Sequence, residues 1–171
     1  ALFSPAAGEP VRIFLIEQLR WIGGAEAVPS LALLLTDDAV PVREAARRAL
    51  AHNPSPRAKD ALLVQLAVPA SSDETVALLQ ALSYGAAGAS AAAFRPYLRH
   101  TEGDVRLAAV NALESIGDAD ALASLREAST SLSVAERPRL VDARLRIAER
   151  CCAAGDRQTA RRVYQDLLSC T

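Results

Sequence analysis

The residues that could carry out catalysis or bind a metal are few and lie far apart in the chain. The two histidines, His52 and His100, fall in different parts of the sequence, and neither is close to the three cysteines, Cys151, Cys152 and Cys170. This spacing indicates neither a zinc site nor a thiol–imidazole pair. The carboxylates are spread along the chain, and there is no glycine-rich phosphate loop and no nucleophile elbow. We therefore expect no catalytic residue, no metal and no cofactor, and we predict that the protein is not an enzyme.

The cysteines are predicted to be free thiols. Adjacent Cys151 and Cys152 could pair only through a strained ring, and Cys170 should lie about 20 Å from them along a helix, beyond disulfide reach. Free thiols favour a reducing compartment and hence the cytoplasm. No run of residues is long and apolar enough to span a bilayer. The sequence has no methionine, even at position 1, so we expect the chain to be a domain of a longer protein or a processed product.

Local clusters of basic residues could instead bind a partner. The net charge is −1, from 19 basic and 20 acidic side chains, so no overall positive field would attract nucleic acid or an anionic membrane. One cluster contains Phe94, Arg95, Tyr97, Arg99 and His100. It could form a basic and aromatic binding patch on an inner surface. Alternatively, Phe94 and Leu98 belong to the core and their charged neighbours are simply solvated.

A second basic cluster lies near the end of the chain and contains Arg157, Arg161 and Arg162. These residues could bind an acidic partner. They could also form the polar outer face that the terminal unit of a repeat protein needs for solubility.

Short helices must position these residues, and the stretch 103–128 shows their pattern most clearly. Apolar residues at spacings of three and four predict a first amphipathic helix. Its stripe consists of Val105, Ala108, Ala109, Ala112, Leu113 and Ile116. Asp104 is the predicted N-cap, and Gly117 should end the helix in the left-handed conformation. Asp118 or Asp120 should cap a second helix, whose stripe consists of Ala121, Leu122, Leu125 and Ala128.

The same helix pair repeats along the chain. Val-Arg pairs begin at positions 11, 42 and 105, and a leucine stands eight residues after each valine. A missing copy should open at Glu74-Thr75, with Leu82 in the matching place. A period of 31 to 32 residues predicts an all-α solenoid of about five antiparallel helix pairs, in a single domain over 1–171. The predicted units are 10–37, 38–68, 73–100, 103–129 and 133–169, and the two helices of a unit are called here its first and second helix.

Several expectations concern individual helices. The first helix of unit one should carry a broad apolar face, which Leu2 and Phe3 should cover. That face consists of Val11, Phe14, Leu15, Leu19 and Ile22. Trp21 should cap the exposed end of the first unit, and the alternative is that it is a binding anchor. The second helix should run over 25–35, with Pro29 in its first turn. In unit three, the turn 85–88 should lead to a helix over 89–99 that Pro96 kinks. The last unit should open with a long helix over 134–154.

Two of the units carry the residues of a known repeat. Residues 104–125 contain an aspartate, a Val-Arg pair, two alanines and an Ala-Leu pair, then Gly-Asp and a second Ala-Leu helix, and 38–46 contain the first part of this pattern. The pattern resembles short bacterial HEAT-like repeats, the type also found in phycobilisome lyases. This resemblance implies a HEAT/armadillo-like α–α superhelix. The last hairpin, with Gly155, Ala160 and Tyr164, is similar to a tetratricopeptide hairpin.

The resemblance also implies a structural role for some charged residues. In HEAT repeats, aspartate and arginine at these places usually form a ladder between neighbouring units. The implied ladder residues are Asp38, Arg43, Asp104 and Arg106, with Arg12 as a further member. Thr75 replaces the arginine in unit three, which predicts a gap in the ladder.

The function that the resemblance implies is a non-catalytic protein-interaction scaffold. In HEAT-like solenoids the second helices line a concave surface, and a partner lies along it. The candidate partner-binding residues are Arg57, Lys59, Arg95, Tyr97, Arg99, Arg126, Arg161 and Arg162. Their positive charge favours an acidic peptide or helix as the partner, and no membrane is expected.

Two alternative functions compete with the scaffold. The first is nucleic-acid binding, as in helical-repeat alkylbase glycosylases, which need a basic groove and aromatic side chains for an unstacked base. A near-neutral chain with one tryptophan matches that need poorly. The second is a chromophore-lyase-type subunit, which depends on the resemblance alone.

Overall fold

The computed structural model describes residues 7–84 and 90–169. Over these residues it contains α-helices and short 3₁₀ segments and no β-strand. The predicted all-α class is therefore confirmed. The chain divides into two compact units, Ala1–Gly85 and Ala86–Thr171, and the division falls inside the third predicted repeat. The superhelical course of the whole chain stays a prediction.

The described part of the first unit contains five α-helices in two rows. They are α1 (Glu9–Ile22), α2 (Val28–Leu33), α3 (Val40–His52), α4 (Pro56–Leu66) and α5 (Ser72–Tyr84). First helices pack on first helices, α1 on α3 and α3 on α5, while α2 packs on α4. Ala45, Ala46 and Ala49 of α3 are buried, and such small side chains let neighbouring helices approach closely.

The described part of the second unit is also built from first and second helices. It begins with two 3₁₀ segments, Ala91–Ala93 and Arg95–Arg99, followed by α6 (Gly103–Ile116), α7 (Ala119–Glu127), α8 (Arg137–Ala153) and α9 (Arg157–Ser169). The first helices α6 and α8 pack on each other, α6 packs on the segment Arg95–Arg99, and α8 packs on α9. The second helix α7 packs on α6 and on the segment Ala91–Ala93.

The pair α6 and α7 agrees closely with its sequence pattern. Its predicted apolar stripes are buried except for Leu122 and Ile116, which are half-buried. Gly117 has a φ of 64°, as a left-handed helix end requires. The Asp118 carboxylate accepts a hydrogen bond from the Ala121 amide at 2.7 Å and caps α7. The predicted cap at Asp104 is wrong: α6 begins at Gly103, with Glu102 at the N-cap position, so Asp104 lies in the first turn, where its negative charge interacts favourably with the helix dipole.

The second helices of units one and three are less regular than predicted. Instead of one helix over 25–35, the short α2 is flanked by the 3₁₀ segments Ala25–Ala27 and Leu34–Thr36, with Pro29 in its first turn. The predicted kinked helix over 89–99 is two 3₁₀ segments. Pro96 lies in the first turn of the second segment, and because proline has no N–H it removes one of the bonds that would join the segments into an α-helix.

The first helix of the chain buries a different face from the predicted one. Ile16 is fully buried, whereas Phe14 is 62% exposed and Ile22 is 79% exposed. Leu15 and Leu19 are half-buried and Val11 is exposed. Because α1 is apolar on more than one side, its spacing alone could not show which side faces α3. Trp21 is also exposed, and the guanidinium of Arg20 lies 5.2 Å from its ring centre.

Two further predictions are settled and several lie outside the described residues. The long helix of the last unit begins at Arg137 rather than near 134, because residues 134–136 form turns. Cys151 and Cys152 are free cysteines. Leu2, Phe3, the turn 85–88, Ala89 and Cys170 belong to the part of the chain that the structure does not describe.

Candidate partner-binding surface

The arginines divide into two groups according to the row of helices that carries them. Every arginine that forms an ion pair within 7–84 and 90–169 lies on a first helix. These are Arg12, Arg20, Arg48, Arg106, Arg139, Arg144 and Arg146. In the same ranges, no arginine of a second helix or of a 3₁₀ segment forms one. The ion pairs of the described residues therefore use first-helix arginines alone, although Arg43, Arg47, Arg137 and Arg150 of the first helices form none.

The repeat arginines Arg43 and Arg106 bind the loop before their own helix in the same way. In each, Nη1 donates to the carbonyl oxygens of the residues six and five positions earlier. For Arg43 the distances are 2.6 and 3.0 Å, and for Arg106 they are 2.7 and 2.8 Å. Side chains of a helix lean towards its N-terminus, so an arginine in the first turn reaches this loop. This shared geometry is independent structural support for the repeat.

The ion-pair ladder uses other carboxylates than the predicted ones. Arg12 pairs with Asp37, and Arg106 pairs with Glu136 at 2.8 Å. In the part of the chain that is described, Asp38 and Asp104 form no ion pair. The carboxylate partners of Arg12 and Arg106 come instead from the loop before the next first helix. Thr75, in the place of the missing arginine, donates to the Ser71 carbonyl at 2.9 Å.

The two ladder carboxylates are held in their charged form. The hydrogen bond from Arg12 lowers the pKa of the Asp37 carboxyl below its ordinary value. Burial by itself would raise the pKa of Glu136, but hydrogen bonds from Arg106 and Ser133 outweigh it and leave that pKa lowered. These pairs join neighbouring parts of the repeat and stabilise it.

Glu114 of α6 is a second structural centre that the sequence pattern did not reveal. It is 8% exposed although it lies off the apolar stripe of α6. Its carboxylate pairs with Arg139 and Arg146 of α8, and its backbone carbonyl accepts a hydrogen bond from Arg150. Three arginines of α8 thus contact a single residue of α6.

The candidate residues of the first unit are on the second helix α4. Arg57 is exposed in the first turn of α4 and forms no ion pair among the described residues. Lys59 is half-buried on the same helix.

The candidate residues of the second unit separate into three places. In the basic and aromatic cluster, Phe94 and Leu98 are buried and belong to the core. Arg95 and Arg99 are exposed to solvent, and Tyr97 is half-buried. Arg95 donates from Nε to the Ser124 hydroxyl of α7 at 3.2 Å. The other candidates, Arg126, Arg161 and Arg162, are exposed on α7 and α9.

A groove between α7 and α9 brings two of these candidates together. Its volume is about 530 Å³, it is open to solvent, and α8 contributes to its floor. It is lined by Ala119, Leu122, Ala123, Arg126, Arg144, Thr159, Arg162, Val163, Gln165, Asp166 and Ser169. Arg161, although adjacent in sequence to Arg162, is not part of the lining. The α7–α9 groove therefore distinguishes two arginines that the sequence pattern treated alike.

Sequence reasoning missed two charged residues of the α7–α9 groove. Arg144 is only 5% exposed and forms an ion pair with Asp166. One residue lies on α8 and the other on α9, so no local pattern joins them. One feature of the sequence could have pointed to Arg144. It lies four residues before Ala148, and this spacing places both residues on the buried face of α8.

The described residues contain no cluster suited to a metal ion. Within 7–84 and 90–169, no three side chains of His, Cys, Asp or Glu come together as possible ligands. His52 instead contacts Arg20 at 3.1 Å and stacks obliquely on Tyr84, with ring centres 4.5 Å apart. No helix in these ranges has the length and apolar character needed to cross a membrane.

Paired short helices in two rows, tied by repeated arginine contacts, define a helical-repeat protein. Residues 105–131 match a family model described as PBS lyase HEAT-like repeat. The matched stretch includes most of α6 and all of α7, and it confirms that the chain carries a HEAT-like repeat. A search of curated proteins found no match to the chain.

Proposed function

We propose that the protein is a non-catalytic interaction scaffold that binds an acidic segment of another protein on the second helices of the unit 86–171. The observation that carries this proposal is the distribution of charge. Among the described residues, only first-helix arginines form ion pairs, whereas Arg99, Arg126, Arg161 and Arg162 are exposed and form none.

Exposed arginines suit this role for physical reasons. A guanidinium group can bind a carboxylate through two parallel hydrogen bonds, which gives orientation as well as attraction. With a net charge of −1, the chain offers a local positive surface rather than a general one. Such a surface favours a protein segment with a few well-placed carboxylates over a long polyanion such as nucleic acid.

The test compares single charge reversals on the two rows of helices. Arg99→Glu and Arg126→Glu change exposed second-row residues, and Arg137→Glu changes an exposed first-helix residue without an ion pair. Each immobilised protein is incubated with native lysate, and the retained proteins are quantified by mass spectrometry. We expect a protein that is retained by the wild type and by Arg137→Glu and is depleted from the other two.

Two results would argue against the proposal. Equal retention of every captured protein by all four proteins would show that the second-row arginines are not the binding surface. Retention of nucleic acid that falls steeply as salt is raised would favour nucleic-acid binding instead, because released counterions make that interaction strongly salt-dependent.

A further inference from the structure

We infer that the α7–α9 groove binds a helical peptide segment of the partner, with an aliphatic side chain on the apolar part of its lining and carboxylates on Arg126 and Arg162. This inference rests on the proposed function and narrows it to one site and one partner chemistry. It distinguishes Arg162, which lines the groove, from Arg161, which does not, although both are exposed and form no ion pair among the described residues.

The shape of the groove suits a third helix. Its α7 wall consists of Ala119, Leu122, Ala123 and Arg126, which are spaced as one face of a helix. Thr159, Arg162, Val163, Asp166 and Ser169 form the corresponding face of α9. An open groove between two helices is the usual seat for the apolar face of an amphipathic helix.

Part of the lining of the groove is apolar. Leu122 is half-buried and packs against the cluster of Ala148, Ala160 and Val163. Ala119 and Ala123 carry only a methyl group, so they leave space above α7 for a side chain of the partner. An aliphatic side chain placed there would remove both its own surface and that of Leu122 from water.

The charge of the groove calls for an acidic occupant. Its lining contains three arginines and one carboxylate. The buried Arg144 already pairs with Asp166, so these two lining residues together add no net charge to the groove. Arg126 and Arg162 have no ion pair within the described residues and remain as two positive charges, one on each wall. Two carboxylates on one face of a helix, three or four residues apart, would match them.

The probe is a fluorescein-labelled, terminally blocked peptide of about 15 residues, long enough for helix formation. It carries a row of leucines flanked by glutamates three and four residues apart. A second peptide has glutamine in place of every glutamate. Binding to the whole chain is measured by fluorescence anisotropy at moderate salt, and circular dichroism checks that each protein variant is folded.

Adjacent arginines of α9 provide a matched control. Arg162→Ala and Arg161→Ala remove the same charge from neighbouring exposed positions, but only Arg162 lines the groove. We expect Arg162→Ala to weaken binding of the glutamate peptide about tenfold, as the loss of one charge-assisted hydrogen bond implies. Arg161→Ala should change it by less than about twofold, since an exposed charge outside the contact contributes little. Ala123→Glu, which adds bulk and negative charge to the α7 wall, should abolish binding.

The possible failures are distinguishable. Equal weakening by Arg161→Ala and Arg162→Ala, or equal binding of the glutamine peptide, would overturn the groove assignment and leave the proposed function in place. No binding of the glutamate peptide by the wild type would also overturn the groove assignment. The proposed function fails as well only if, in addition, the reversals Arg99→Glu and Arg126→Glu do not change which proteins are captured.

Discussion

Removal of Arg106 should reveal how strongly the repeat depends on its ladder. Arg106 donates to the carbonyls of His100 and Thr101 and to the Glu136 carboxylate, and only 15% of its side chain is exposed. Arg106→Ala would leave all three acceptors without this donor. The Glu136 side chain is 8% exposed, so water could replace the lost partner only in part.

The expected loss is large because the change leaves a buried charge unpaired. Breaking a buried ion pair from one side typically destabilises a protein by about 3 to 5 kcal/mol. We expect a value near the lower limit, about 3 kcal/mol, because the remaining exposure lets water reach part of the site. The free energy of unfolding is measured by urea denaturation, followed by far-ultraviolet circular dichroism.

Arg146→Ala is the matched control. Arg146 also pairs with two carboxylates, Glu114 and Asp142, but 58% of its side chain is exposed. Its removal should cost less than about 1 kcal/mol, as for other exposed ion pairs. If Arg106→Ala costs no more than Arg146→Ala, the argument from burial is wrong.

The loss of stability in Arg106→Ala should also depend on pH. The pKa of Glu136 in the folded protein lies below its ordinary value of 4.5. Its contribution to stability is therefore complete above pH 4.5 and is lost as the pH falls through the lowered pKa. The stability difference between the wild type and Arg106→Ala should consequently shrink on acidification. A difference that stays constant or grows would show that Glu136 is not the group involved.

Two further predictions concern the turn between α6 and α7. Gly117→Ala should destabilise the protein by about 1 to 2 kcal/mol, because φ is positive there and a Cβ would lie 2.7 Å from Nη2 of Arg150. Gly155→Ala, at a positive φ with no atom within 4 Å, should cost less, and thermal unfolding midpoints in the opposite order would contradict this reasoning. Asp118→Ala should cost about 1 kcal/mol through the lost cap on the Ala121 amide, and Asp118→Asn should retain most of it; equal urea midpoints for wild type and Asp118→Ala would show that the cap contributes nothing.

Features that depend on a few neighbouring residues were predictable from the sequence. The helix pair α6 and α7 was identified from its apolar spacing, from glycine at position 117 and from aspartate at position 118. A cap or a left-handed glycine acts within one turn of the chain, so its signal is local. The prediction was less accurate where several local solutions compete, as around Pro96, where 3₁₀ segments replace the predicted α-helix.

Partners that are distant in sequence could not be predicted in this way. The aspartates at positions 38 and 104 were the expected ladder residues, yet the arginines pair with Asp37 and Glu136. A one-residue change of position, or a loop of different length, alters which carboxylate an arginine reaches. The pattern therefore indicated a ladder but could not identify its members.

The sequence by itself determined the class of this protein, an all-α chain of repeated helix pairs. The spacing of apolar residues within a helix and the period of the repeat are both properties of the sequence. Together with the resemblance to HEAT-like repeats, it also suggested a candidate surface of seven basic residues and Tyr97 on second helices. Only the tertiary structure decided which of them share a site. Arg161 and Arg162 are neighbours in sequence, but one residue turns a helix by about 100 degrees, so Arg162 lines the α7–α9 groove with Arg126 and Arg161 does not.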